Sequence, residues 1–170
     1  MKMSRRSIFI LATIIGTIAL DQITKVWVRA NVELYTEKRP IIGEYFTLMN
    51  VENKGAFLGM GSELNTTLRI ILLMILPVVV LGFVLRYVFK DKNLDNWSLF
   101  AFSAIIGGGV ANVFDRIVFK KVTDFWFIDL GDPFKTGVFN VADVFVTTGM
   151  IILVFTILLK KKPKNIEKAD

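Results

Sequence analysis

The sequence predicts an all-α membrane protein, with four transmembrane helices and a small extracytoplasmic β-sheet drawn from the first loop. Composition is the first indication: 54% hydrophobic residues and a mean hydropathy of +0.56 are too apolar for an ordinary soluble domain of 170 residues. Length is the second. Four stretches, about 8–28, 67–89, 97–118 and 138–159, can each cross roughly 30 Å of hydrocarbon at about 1.5 Å per residue. The third is the gathering of in-span ionisable residues toward one side. Four spans use most of the chain, so residues 1–170 read as a single integral membrane domain.

The first stretch begins like a secretory signal, with Lys2, Arg5 and Arg6 before the apolar run 8–20. It is longer than a signal core, carries Asp21 and Lys25, and has no small-residue cleavage pattern behind it, so it reads as a retained helix. In the loop at about 30–66, Pro40 and Gly43 break the chain before Tyr45-Phe46-Thr47-Leu48-Met49-Asn50-Val51. That run has aromatic and β-branched character with partial alternation, which fits a small sheet lying on the membrane. The loop at about 120–137 contains Phe125-Trp126-Phe127, aromatic residues suited to the head-group boundary as an interfacial anchor or as a seat for substrate. After the fourth span the lysine-rich tail reads as a solvated anchor.

Positive charge beside short loops stays cytoplasmic and sets the orientation. Lys2, Arg5 and Arg6, then Arg86, Lys90 and Lys92, then Lys160, Lys161, Lys162, Lys164 and Lys168 all fall on one side of four spans. The opposite side has Lys38, Arg39 and Lys54, diluted by Glu33, Glu37, Glu44, Glu52 and Glu63, with Lys120, Lys121 and Lys135 in the third loop. Both termini are therefore expected in the cytoplasm, with the first and third loops outside. The net charge of +6 lies at span ends and in the tail, which points to anionic lipid rather than nucleic acid.

A charge near the bilayer centre costs about 2.5–3.5 kcal/mol on insertion scales, so ionisable groups within spans require a reason. Asp21 and Lys25, Arg69, Asn112, Asp115 and Arg116, and Asn140 and Asp143 all fall toward the outer ends of their spans, while 9–13, 99–106 and 151–159 carry no charge. The simplest reading of Asp21 and Lys25, spaced i, i+4, is a local ion pair within the first helix. Asn112, Asp115 and Arg116 are spaced to share one helical face. Asp124 and Asp143 are separated by a loop that must fold back, which would bring both carboxylates to the outer boundary. Such a pair shares a proton, and one member can then activate water while the other acts as an acid.

Without cysteine or histidine the chain has no disulfide, no thiol nucleophile, no Ser-His or Cys-His mechanism and no His-rich metal site, so neither metal nor cofactor is implied. At this level three readings stay open: a peptidase, a proton- or ion-coupled transporter using the same carboxylates, and polar groups that only hold helices together.

Five motifs carry a resemblance over nearly the whole length. They are Asp21-Gln22-Ile23-Thr24-Lys25, Asn53-Lys54-Gly55-Ala56-Phe57, the run Gly107-Gly108-Gly109-Val110-Ala111-Asn112-Val113-Phe114-Asp115-Arg116, Val122-Thr123-Asp124-Phe125, and Phe139-Asn140-Val141-Ala142-Asp143. In this order over four spans the chain resembles lipoprotein signal peptidase, or signal peptidase II. The resemblance implies an aspartic endopeptidase of the bacterial inner membrane, inhibited by globomycin-type cyclic peptides. Its substrates would be diacylglyceryl-modified prolipoproteins, cut just before the lipidated cysteine. It implies a catalytic pair at Asp124 and Asp143, and supporting or substrate-binding roles for Asn53, Gly55, Asn112, Arg116, Asn140, Asp21 and Lys25; a monomer surrounded by membrane lipids is expected, although the sequence does not fix the oligomeric state. Two departures from the family pattern bear on substrate fit and helix packing. The aromatic in Ala56-Phe57-Leu58 is shifted by one place, and Ala111 stands where glycine is usual.

Overall fold

The computed structural model describes residues 3–35, 38–56, 60–61 and 63–159. Lys2, Glu37, Phe57, Leu58 and the tail lysines from Lys160 onward lie outside the described residues.

Among the described residues four long apolar helices form the body. The first is α1 (Arg5–Asn31), started by Ser4, whose hydroxyl accepts the Ser7 N–H. The second joins α2 (Thr66–Ile70), a π-helical turn (Ile71–Ile75) and α3 (Leu76–Lys90), and Asn65 caps its start by accepting the Leu68 N–H. The π turn ends one residue short of Pro77, whose ring nitrogen cannot donate within the helix, and the widened turn accommodates that lost bond. The third is α4 (Asn96–Phe119), with Asp95 as its cap and Lys120 in the left-handed conformation at its end. Last comes α5 (Val141–Leu159). Side chains such as Ile15, Phe83 and Leu158 stay exposed along the outer faces, as lipid-facing positions must be when hydrocarbon is the solvent.

The central helix is α4: 56% of its most apolar window is buried, against 17% or less for the others. Three successive glycines explain how one helix meets three neighbours. A Cβ at Gly107 would lie 2.7 Å from Thr17 Cβ in α1, one at Gly108 2.5 Å from the Ala142 carbonyl in α5, and one at Gly109 2.8 Å from Leu81 in α3. Consecutive helical positions point about 100° apart, so each glycine admits a different helix, and small residues give close van der Waals packing where lipid offers no hydrophobic drive. Ala111, the departure noted above, is wholly buried in the same helix.

One apolar cluster, Ile10, Ile14, Val88, Leu99 and Ile106, sits toward the end where Arg6 donates to the carbonyls of Val88 and Asp91. A second, Val28, Val32, Phe125 and Val141, lies at the opposite end beneath a three-stranded antiparallel sheet in the order β1-β2-β3. The strands are β1 (Arg39–Ile42), β2 (Phe46–Asn53) and β3 (Val122–Ile128).

The expected sheet is therefore present, but the first loop supplies only two of its strands. The third comes from the loop read as an interfacial aromatic anchor. Pairing turns Phe125 inward, where it is 1% exposed against Val28, Val32 and Val141, so its ring packs within the protein. Trp126 and Phe127 are only partly buried. The fourth helix begins at Val141 rather than near 138, because the preceding residues pair with β3.

Candidate active site

Two long-range features bring Asp124 and Asp143 together. The β2–β3 register sets Val51 opposite Asp124 and Asn53 opposite Val122, which places Asp124 and Asn53 side by side at the membrane end of the sheet. The segment before α5 is then clipped to β3: Phe139 N–H donates to the Trp126 carbonyl at 2.8 Å, and the Phe139 carbonyl accepts from Trp126 N–H at 2.8 Å. Asn140 follows at once and so reaches Asp124.

Asn140 also starts α5. Its side-chain oxygen accepts the Asp143 N–H at 3.0 Å, while Asp143 Oδ2 accepts the Asn140 N–H at 3.1 Å, a reciprocal capping box that holds the Asp143 carboxylate at the helix N-terminus. Asn140 Nδ2 donates to Asp124 Oδ1 at 2.6 Å. One residue thus bridges both carboxyl groups.

The remaining carboxylate oxygens have donors of their own. Asn53 Nδ2 meets Asp124 Oδ2 at 2.8 Å, and Asn112 Nδ2 meets Asp143 Oδ1 at 2.9 Å. Burial, and after it the charge of Asp143, push the Asp124 carboxyl up from the usual 3.8 to about 7, against the hydrogen bonds from Asn53 and Asn140 that favour its charged form. Both aspartates, with Asn53, Asn112, Arg116 and Asn140, line a cavity of about 10 Å³, at the lower limit for one water molecule. On its other side Asp143 borders an apolar cleft of about 230 Å³ with Phe139, Val144 and Thr147.

Asp21 and Lys25 do pair, at 2.8 Å, but the pair is not confined to α1. Lys25 Nζ also lies 2.8 Å from Asp115 Oδ2 and donates to Asn112 Oδ1 at 2.9 Å, with both members of each ion pair fully buried. A cation can face only the amide oxygen of Asn112, so Lys25 forces the Asn112 NH₂ toward Asp143. Asp21 Oδ1 in turn accepts the Ala142 N–H at 2.9 Å, satisfying an otherwise orphaned donor in the first turn of α5. Arg116 diverges from Asp115: its guanidinium donates to the Gly55 carbonyl at 2.7 Å and to the Asn112 carbonyl at 3.2 Å. Gly55 N–H is held by Asn53 Oδ1 at 2.8 Å within the second motif, and the Asn53 amide ties that motif to Asp124 in the fourth.

All nine residues singled out from the sequence are thus in one connected network. Two members were missed as site residues. Asp115 balances Lys25, and Gln22 donates to Asp115 at 3.0 Å and to Asp21 at 3.2 Å. Their signal was available, since a lysine within a membrane span has three donors to place, more than the one carboxylate at i−4 meets, and Asp115 and Gln22 stood among the quoted motifs.

Comparison with known proteins identifies the family. A family model described as signal peptidase (SPase) II matches residues 13–159. A lipoprotein signal peptidase of Clostridium acetobutylicum is 31% identical over 156 residues, covering 92% of this chain and 97% of that protein. One of Bartonella henselae is 34% identical over 159 residues, covering 92% and 93%. A solved structure described as a bacterial membrane enzyme superposes with a TM-score of 0.79 at 21% identity, covering 95% of this chain and 94% of that one, a likeness of fold.

Proposed function

The chain belongs to the signal peptidase II family, and from that premise we propose that it removes signal peptides from diacylglyceryl-modified prolipoproteins by a two-aspartate mechanism. The observation that carries the reading is the bridged pair. Asp124 from β3 and Asp143 from α5 share Asn140, line one water-sized cavity, and adjoin an apolar cleft on the bilayer side.

In this mechanism one carboxylate takes a proton from water as its oxygen attacks the scissile carbonyl carbon, while the other, as the acid, protonates the carbonyl oxygen. Collapse of the tetrahedral intermediate breaks the C–N bond, and a carboxyl proton passes to the departing amine of the lipidated cysteine. A carboxyl near 7, as at Asp124, is present in both forms at neutral pH, which suits it to exchange that proton. Donors on all four carboxylate oxygens hold the pair in place before substrate arrives, so little reorganisation accompanies reaction. The cleft beside Asp143 gives the diacylglyceryl chains a lateral path, keeping them in lipid while the peptide reaches the carboxylates.

The location follows from charge. Arg6 ties the start of α1 to the end of α3, so Arg5, Arg6, Arg86 and Lys90 cluster at the end away from the aspartates. The positive-inside tendency makes that end cytoplasmic, with both termini inside and the aspartates at the extracytoplasmic face of a bacterial cytoplasmic membrane.

The direct test is cleavage by purified protein in detergent, with a diacylglyceryl-modified prolipoprotein beside its unlipidated form. Cleavage of the lipidated substrate just before its cysteine, with the unlipidated form left intact, is expected. A folded protein that cuts neither, yet moves protons or ions in vesicles, would return the carboxylates to transport.

The Asp124 carboxyl also predicts a pH dependence. Its folded value lies above the unfolded one, so the folded state holds a proton that the unfolded state releases. Its stability contribution is therefore complete below about 3.8 and is lost as pH rises through about 7. Asp124→Asn removes this titration. The melting temperature of the parent should fall relative to that of Asp124→Asn as pH rises from about 4 to about 7, and a difference independent of pH would mean that the carboxyl is not so raised.

A further inference from the structure

Besides Asp143, the polar side chains lining the cleft of about 230 Å³ are Thr136, Thr147 and Thr148, and they are not equivalent. The Thr136 hydroxyl is taken: it accepts the Ile128 N–H at 2.9 Å and lies 3.3 Å from the Ile128 carbonyl. Thr147 and Thr148 are exposed on α5, and neither hydroxyl has a hydrogen-bond partner among the described residues. A threonine on a membrane helix can turn its hydroxyl back onto the preceding turn, and Thr13, Thr24 and Thr156 do so, each meeting the carbonyl four residues earlier at 2.9 Å. Thr17 and Ser103 make no such bond, but both are buried between helices, where no ligand reaches them. Thr147 and Thr148 combine an uncommitted hydroxyl with access from the cleft.

A hydroxyl in an apolar surrounding costs free energy until it meets a partner, so these two are donors in want of acceptors. A diacylglyceryl group offers two ester carbonyls, which accept and cannot donate. Its glyceryl carbons are joined to the scissile amide through the cysteine and its sulfur. With that amide at Asp143 and the chains in lipid, the esters fall along the first turns of α5. Thr147 stands four residues from Asp143, on the same helical face and about 6 Å along the axis, and Thr148 follows it. Building on the peptidase reading above, we propose that Thr147 and Thr148 donate to the two ester carbonyls of the substrate's diacylglyceryl group. The enzyme then recognises the ester linkage itself, and not only the apolar chains.

The test uses a prolipoprotein peptide bearing diacylglyceryl-cysteine beside a twin whose two chains are attached by ether links. The twins share peptide, sulfur and chains and differ by the two carbonyls. Cleavage is measured with the full chain in detergent, and binding with Asp124→Asn, so that turnover does not consume the ligand. The diester should be favoured over the diether by about tenfold in both kcat/KM and affinity, the effect of two net hydrogen bonds. Thr147→Val with Thr148→Val keeps the side-chain shape and should bring both ratios close to one. Thr147→Ser with Thr148→Ser keeps the hydroxyls and should keep most of the preference. Equal handling of the twins before any change at 147 and 148, or a preference that valine leaves intact, overturns the proposal. Equal cleavage of both twins does so while the peptidase reading stands. Preferential binding of the diester with cleavage of neither twin sinks the peptidase reading and upholds the assignment of the two threonines.

Discussion

Asp124→Asn and Asp143→Asn should each leave a folded protein whose turnover of lipidated prolipoprotein falls by about 10²- to 10⁴-fold, the range for losing a positioned acid or base. Asparagine keeps the shape and one acceptor oxygen of the carboxylate. At Asp143 that oxygen can still accept the Asn140 N–H and preserve the cap on α5, while the Asn112 amide loses its acceptor. At Asp124 both oxygens now receive side-chain amide donors, from Asn53 and Asn140, so one of these loses its acceptor and the melting temperature drops modestly. Because the two carboxylates act on one proton and one water, the double variant should be little slower than the slower single one. Measured single-turnover rates decide the matter. Retained turnover in either variant would remove that aspartate from the chemistry, and fully multiplicative losses would mean that the two act independently.

The second large effect concerns stability. Lys25→Met keeps the length of the side chain and removes its charge from between Asp21 and Asp115, each 2.8 Å away and fully buried. Removing one partner of a buried ionic group leaves uncompensated charge and costs about 3–5 kcal/mol. For a chain of this size that lowers the melting temperature by roughly 6–20 °C. Turnover should fall as well, because Asn112 loses the cation that turns its NH₂ toward Asp143. Adding Asp21→Asn and Asp115→Asn removes the stranded charges and should recover most of the stability, but not the turnover, since the cation that orients Asn112 is gone and only the longer bond from Asn140 Nδ2, at 3.2 Å, still meets its oxygen. Thermal unfolding in detergent separates the two roles. If Lys25→Met melts like the parent, the network is not ionised as drawn. If the triple variant regains turnover, Lys25 has no orienting part.

The hydrogen-bond chain from Lys25 through Asn112 to Asp143 shows why the fold and the site are hard to separate here. The same lysine that balances charge between α1 and α4 also sets the direction of an amide that meets a carboxylate on α5. Asp21, on α1, does the corresponding work for the backbone of α5 by accepting the Ala142 N–H. A polar cluster in the membrane end of a bundle is stable only when every member is satisfied, so one loss is felt by both packing and chemistry.

By itself the sequence determined four spans, the gathering of polar residues at one end, and the residue types available for chemistry. Each is a local property. A span must close its backbone hydrogen bonds within itself and present apolar side chains to lipid, so length and composition reveal it without knowledge of its neighbours. Only the tertiary structure decided that Val122–Ile128 is the third strand, that Phe125 points inward, that Lys25 serves two acids and an amide, and that Asn140 joins Asp124 to Asp143. Strand pairing depends on a partner some 70 residues away in the chain, as Val51 is from Asp124, and no periodicity within a seven-residue run encodes which segment that is. An amide or ammonium side chain can satisfy many acceptors, and which of them it meets is settled only when the helices and the sheet have closed around it.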